Sequence, residues 1–317
     1  MMSSTRVAAV DCGTNSIRLL VADVAPDGTL TELDRRMQIV RLGQGVDRTG
    51  ELAPEALART LTASGEYAKI AAELGATRTR FVATSATRDA RNRDVFAEGV
   101  RATLGVVPEV ITGDEEAALS FRGAISGEAA SHPGPYLVVD LGGGSTELVH
   151  GTTAPDAAVS MDVGSVRLTE RHLHSDPPTA TEVDRARADV DAALDAASAV
   201  VPLGRTSTLV GLAGSVTSVT AHALGLDAYR REEINGTVLG VPQVLAACED
   251  LLGRTREQRL DLGFMHPGRA DVIGAGALVW AQVVARVRDD VAASGGELTQ
   301  VVTSESDILD GIALSLA

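Results

Sequence analysis

The sequence predicts an α/β protein built from two related domains, and three observations carry that expectation. The first is a stretch that reads as a buried strand, a tight glycine turn and a second strand, Val138-Val139-Asp140-Leu141-Gly142-Gly143-Gly144-Ser145-Thr146-Glu147-Leu148. The second is that this stretch recurs. Val10-Asp11-Cys12-Gly13-Thr14-Asn15-Ser16-Ile17-Arg18-Leu19 overlies Val139 to Leu148 at a constant offset of 129, matching Val10 with Val139, Asp11 with Asp140, Gly13 with Gly142, Ser16 with Ser145 and Leu19 with Leu148. Aspartate, glycine and serine returning in register mark an internal repeat. The third is size, because 317 residues exceed what a single core usually holds. Small polar residues and two prolines from Ser126 to Pro135 mark a loop. The expected domains are therefore residues 1–125 and 126–317, with the last helix, about 305–317, free to pack back on the first.

Each element follows from its local pattern. Val7 to Asp11 and Ser16 to Val24 flank the first glycine turn, and Pro26-Asp27-Gly28 leads into Leu30 to Leu42, an antiparallel meander. Ala56, Leu57, Leu61, Tyr67, Ile70 and Leu74 form a helical stripe from Pro54 onward, closed by Gly75, and Arg80 to Thr84 reads as a buried strand. In the segment that follows, Arg88 and Asn92 stand four apart, which places them on one helical face if the helix is continuous. That face fits either ligand binding or a capped, solvated helix start. A helix over Val95 to Leu104 and a strand over Val107 to Ile111 lead to Asp114, Glu115 and Glu116 at the beginning of another helix. Acids there oppose the helix dipole favourably; alternatively, one of them serves as a general base.

The second half repeats the hairpin and continues through a strand at Ala157 to Asp162, a turn at Gly164 and a helix from Thr181 to Val200. A third glycine turn follows the strand beginning at Thr208. Gly211, Gly214 and Ser215 there suit either an anion-accepting helix N-terminus or close helix–strand packing. An apolar helix over Ala270 to Val291, a strand over Leu298 to Val302 and a helix over Asp307 to Leu316, capped by Ser304, complete the chain.

Composition narrows the function. With 44% hydrophobic and 22% charged residues the chain reads as soluble and globular. No apolar run approaches the ~20 residues that span a bilayer, and residues 1–6 carry no apolar leader, so a cytoplasmic protein away from membranes is expected. A net charge of −15 argues against a nucleic-acid binder and demands a local arginine-lined path, with a divalent cation, for any anionic substrate. Lys69 is the only lysine, so arginine must supply that path. Cys12 and Cys248 form neither a disulfide framework nor a metal spacing, and Cys12 alternates with Asp11, which turns it toward the core. The six histidines are scattered and read as structural or solvent residues. The glycine turns themselves lack β-carbons, so consecutive N–H groups can converge on an anion while the aspartate at the strand end faces a metal.

With these segments in place the sequence resembles the exopolyphosphatase / guanosine pentaphosphate phosphohydrolase family over essentially its full length. The matching stretches are DCGTNSIRLLV, ATSATRDARN, TGDEEA, DLGGGSTELV, GLAGSVTSV and SESDILDG. The resemblance implies the actin, sugar-kinase and Hsp70 type of fold, with ribonuclease-H-like domains and a ligand cleft between them. It also implies hydrolysis of a terminal phosphoanhydride with Mg²⁺ or another divalent cation. Matching the Gly-x-Glu-Glu-Ala motif makes Glu116 the catalytic residue and leaves Asp114 and Glu115 to the dipole. On this reading Gly13, Thr14, Asn15 and Ser16 with Gly142, Gly143, Gly144 and Ser145 cradle the terminal phosphate, and Gly211, Gly214 and Ser215 add a third phosphate-binding turn. Asp11, Asp140 and Glu147 hold the metal, and Arg88 with Asn92 binds a neighbouring phosphate. The expected substrate is inorganic polyphosphate. Guanosine pentaphosphate (pppGpp) is the alternative, and a kinase of the same superfamily or a non-catalytic alarmone-binding regulator ranks behind it. Many members carry arginine where this chain has Ala118, and long members continue into a helical domain that this chain lacks, which leads to an expected preference for shorter polyphosphates. A homodimer is also implied by resemblance.

Overall fold

The computed structural model describes residues 4–317, and their contacts divide the chain into two units. One runs to Gly123 and regains the chain at Ile308–Ala317; the other is Ala124–Asp307. The break drawn from composition at 125/126 falls in the last turn of a helix, Gly113–Ser126.

The first unit is organised by strands β1 (Thr5–Cys12) and β2 (Ser16–Val24), which pair antiparallel and bury opposite faces. Alternation sends Ala8, Val10, Cys12, Ile17, Leu19 and Val21 to one core and Val7, Ala9, Leu20 and Ala22 to another. Cys12 therefore faces the core as expected, and burial pushes its thiol well above the ordinary range, which leaves it inert. Strand β3 (Leu30–Ile39) extends the meander, and helix α1 (Val46–Thr49) precedes the long α2 (Pro54–Glu73), which starts on proline. Thr60 and Ser64 are buried in α2 because each hydroxyl donates to the carbonyl one turn back, at 2.8 Å in both cases. Strand β4 (Arg78–Ala83) runs parallel to β1 and is followed by α3 (Ser85–Asp89), α4 (Arg93–Leu104), β5 (Glu109–Val110) and α5 (Gly113–Ser126). The expected strand at Val107–Ile111 shrinks to β5 because Val107, 63% exposed, has no core to face. The sheet order is β3-β2-β1-β4-β5.

The second unit repeats this plan. Strands β6 (Tyr136–Leu141), β7 (Thr146–Gly151) and β8 (Pro155–Met161) form an antiparallel meander. Helices α6 (Ser165–His172) and α7 (Ala180–Ser198) lead to β9 (Thr208–Leu212), which lies parallel to β6. Thr179 and Glu182 form a reciprocal capping box at the start of α7. Helix α8 (Ala213–Ala223), α9 (Arg231–Ile234), β10 (Val238–Gly240), α10 (Val241–Gly253), α11 (Arg256–Leu260), α12 (Ile273–Ala293) and β11 (Gln300–Thr303) follow. The order β10-β11-β9-β6-β7-β8 contains the same succession of three antiparallel and two parallel strands. Leu137, Val139, Leu141 and Leu148 meet Trp280 and Val283 of α12 in its core. The last helix, α13 (Ile308–Leu314), belongs to the first unit, where Ile308, Leu309, Ile312 and Ala313 cover Val7, Ala9 and Leu20. Among the described residues no helix is long and apolar enough to cross a membrane.

Candidate functional site

The two glycine turns close with the same hydrogen bond. Gly13 N–H donates to Ser16 O at 2.9 Å, and Gly142 N–H donates to Ser145 O at 3.0 Å. In the first turn the outward carbonyls are tied down by the chain after β3. Gly43 N–H donates to Thr14 O at 2.8 Å, and Val40 and Arg41 N–H donate to Asn15 O at 3.1 and 2.9 Å. Arg41 takes a left-handed conformation, φ 53°, to do so, a strain of about 1 kcal/mol or more for a non-glycine residue. The Thr14 hydroxyl and the Asn15 side-chain oxygen, both buried, find no hydrogen-bond partner among the described residues, and neither does the Thr87 hydroxyl. A buried orphan of this kind costs roughly 1–3 kcal/mol, so polar atoms left open at a glycine turn point to a ligand or water that completes them.

Asp11 and Arg18 stand directly opposite each other on β1 and β2. Arg18 donates to Asp11 Oδ2 from Nε at 2.9 Å and from Nη2 at 2.7 Å. The carboxylate expected to hold a metal is thus already paired with a cation, a partner that only the strand register reveals. Arg88 lies in the last turn of α3 and reaches Glu116 on α5: its Nη1 donates to Glu116 Oε2 at 3.1 Å and to Ile111 O at 3.0 Å. The structure therefore brings together the buried Glu116 and Arg88, two residues that the sequence places 28 positions apart. Glu115 instead pairs with Arg80 at 2.6 Å, which also holds Glu109 at 2.7 Å.

Asn92 requires a correction. Helix α3 ends at Asp89 and Ala90 is extended, φ −85° and ψ 132°, so Arg88 and Asn92 do not share a helical face. The Asn92 amide is consumed by the backbone of buried Leu52, accepting from its N–H at 2.9 Å and donating to its carbonyl at 3.0 Å. It clamps the entry to α2 with its oxygen and one of its two amide N–H groups.

In the second unit Asp140 and Glu147 are cross-strand partners on the face away from the large core, and both are buried. Ser160 on β8 donates to Glu147 Oε1 at 2.6 Å, orienting it. Two carboxylates opposite one another repel, and a cation relieves that repulsion. The all-oxygen donor set suits a hard divalent ion, which takes one or two carboxylates and completes its shell with water or substrate oxygens. Among the described residues no group of three or more His, Cys, Asp or Glu side chains could hold a metal by itself, so the pair fits such a shared ion rather than a closed protein cage.

The third turn is tightly packed. A β-carbon on Gly211 would lie 2.7 Å from the Trp280 ring, and one on Gly214 would lie 2.2 Å from Arg269 Cζ. Ser215 packs against Gly276, where an added β-carbon would meet its Oγ at 2.4 Å. The missing β-carbons permit close packing here, and the Arg269 guanidinium lies against Gly214.

Comparison with known proteins bears on the whole chain. A model of the Ppx/GppA phosphatase family matches residues 20–296. The chain is 52% identical over 324 aligned positions to Exopolyphosphatase 2 of Mycobacterium tuberculosis, covering 100% of both chains. A crystal structure described as an exopolyphosphatase-like protein superposes with a TM-score of 0.97 at 47% identity, covering 99% of this chain and 98% of that one. The Aquifex aeolicus member of the Ppx/GppA family superposes at 0.78 with 29% identity over 99% and 97%. These likenesses and the repeated strand order make the fold class two actin-like α/β domains.

Proposed function

The chain belongs to the Ppx/GppA phosphatase family, and on that premise we propose that it is an exopolyphosphatase, releasing orthophosphate from the end of inorganic polyphosphate. The observation that carries the chemistry is the buried Glu116 carboxylate fixed by Arg88 at 3.1 Å, in the unit whose glycine turn leaves the Thr14 hydroxyl open. Glu116 orients the attacking water and takes its proton as the new oxygen–phosphorus bond forms. The bridging bond to the next phosphate breaks, and the shortened chain leaves with the electron pair. Such transfers ask the protein for alignment and charge neutralisation more than for covalent help. The turn of the first unit, Thr14 to Ser16, supplies N–H groups and hydroxyls for phosphate oxygens, and Arg88 supplies positive charge; Gly143 to Ser145 carry donors of the same kind in the second unit. Asp140 and Glu147 would hold Mg²⁺, which neutralises charge on the phosphate oxygens when bound. Asp11 serves Arg18 rather than the metal. A cytoplasmic location and a homodimer belong to the same reading.

The test compares substrates. Purified protein with Mg²⁺ is expected to release phosphate from polyphosphate without any nucleotide, and release from pppGpp alone would transfer the assignment to the phosphohydrolase activity.

A further inference from the structure

The three carbonyls of the triple-glycine turn are all taken up by the chain entering α6. Ser165 N–H donates to Gly142 O at 3.1 Å, and Val166 and Arg167 N–H donate to Gly143 O at 2.8 and 3.1 Å. The third carbonyl, Gly144 O, accepts from the Arg167 side chain, Nε at 2.6 Å. Gly164 makes this approach possible, since a β-carbon there would lie 2.6 Å from the Gly143 carbonyl carbon and oxygen. At the matching place in the first turn, Asn15 O is held by two backbone N–H groups. One turn uses main chain where the other uses a single guanidinium.

A trans peptide is planar, so a pinned carbonyl aims the N–H of the following residue the opposite way. Pinning Gly142, Gly143 and Gly144 O therefore aims the amides of Gly143, Gly144 and Ser145 away from α6. We infer that Arg167 is a positioning residue of the reaction: through the Gly144 carbonyl it fixes the Ser145 amide in the direction from which a phosphate oxygen is bound. This rests on the reading of the turn as a phosphate cradle. The Arg167 side chain is 11% exposed, which strengthens its charge-assisted bond to the Gly144 carbonyl, while Asp162, 3.8 Å away, is 77% exposed and its ion pair is weak.

The test uses the full chain, with Arg167→Met and Arg167→Lys beside the unmodified protein. Four quantities are measured: kcat, KM for polyphosphate, the unfolding temperature, and hydrogen exchange of the peptide spanning residues 141–146. Arg167→Met is expected to lower kcat by about ten- to a hundredfold with KM little changed, as for other residues that orient a binding group. Its turn amides should exchange faster while the unfolding temperature stays near that of the parent. Arg167→Lys should recover part of kcat, because an ammonium also donates to a carbonyl. Unchanged kcat and unchanged exchange in Arg167→Met would overturn the inference, as would a loss confined to KM, which marks direct substrate contact. The exchange measurement stands apart from turnover: if the unmodified protein released no phosphate, the proposed activity would fall while faster exchange in Arg167→Met would still support the bracing.

Discussion

In the first hairpin Asp11 faces Arg18 across the strands, and in the second the equivalent positions hold Asp140 and Glu147. The backbone is the same, down to the bond that closes each turn. A cross-strand pair of opposite charges attracts, while a pair of like charges repels unless other groups offset it. Duplication thus preserved the backbone turn, and one difference, arginine against glutamate, gives the two hairpins opposite electrostatics. In the first unit both carboxylates are held by arginine, Asp11 by Arg18 and Glu116 by Arg88. In the second, Ser160 donates to the Glu147 carboxylate.

The largest expected effect concerns an arginine-held acid of the first unit. Glu116→Gln keeps shape and removes basicity, and should lower kcat by about a hundredfold or more with polyphosphate binding retained, as measured by phosphate release and equilibrium binding. Next come the two aspartates. Asp140→Asn should raise the Mg²⁺ concentration for half-maximal rate by about tenfold. Asp11→Asn should leave that titration in place and instead lower stability by about 1.5–3 kcal/mol in urea unfolding, the worth of a hydrogen bond to a charged group. A shift of the Mg²⁺ titration in Asp11→Asn would erase the contrast.

A smaller effect separates the braces. Gly164→Ala drives a methyl into main chain at Gly143, while Gly43→Ala meets the Thr14 Cγ2 at 2.3 Å and the Ala86 Cβ at 2.9 Å. Overpacking costs about 1–3 kcal/mol, and Gly164→Ala should sit at the upper end because backbone cannot rotate aside as a threonine methyl can. Equal losses in thermal unfolding would show the two braces to be equally rigid.

The smallest effect concerns a position where the hairpins differ on the core side. His150 on β7 corresponds to Val21 on β2, both buried. Burial lowers the His150 pKa below its usual 6.5, opposed by Asp156, whose carboxylate lies 3.9 Å from Nδ1. The folded protein keeps this histidine neutral, and the unfolded chain protonates it. Its contribution is therefore fully present above about pH 6.5 and is lost as pH falls from there toward the depressed folded value. His150→Val should flatten that acid-side loss in urea midpoints measured across the interval.

Much of this was legible in the sequence, for identifiable reasons. The hairpins were visible because glycine, aspartate and serine have few substitutes at a strand–turn–strand corner. Even the arginine–glutamate difference lies at the offset of 129, although its meaning required knowing which residues face each other. Asn92 was misread because a spacing of four implies a shared face only where the helix continues, and here it stops at Asp89. The glycines of the third turn were ambiguous because an anion seat and a tight packing contact both ask for a missing β-carbon. Arg167 gave no signal at all, since its partner is a main-chain oxygen 23 residues earlier.

Helix α13 has a consequence for how the protein is made. The second unit is one unbroken stretch and can finish folding as it leaves the ribosome, whereas the first must wait for residues translated after the second is complete. Until then Val7, Ala9 and Leu20 lack the apolar cover that α13 provides, so the nascent chain carries a partly covered sheet face while the whole second unit is made. A stop codon just before Ile308 would therefore spare the contiguous unit and leave the opening one sticky, the form in which chaperones would meet it.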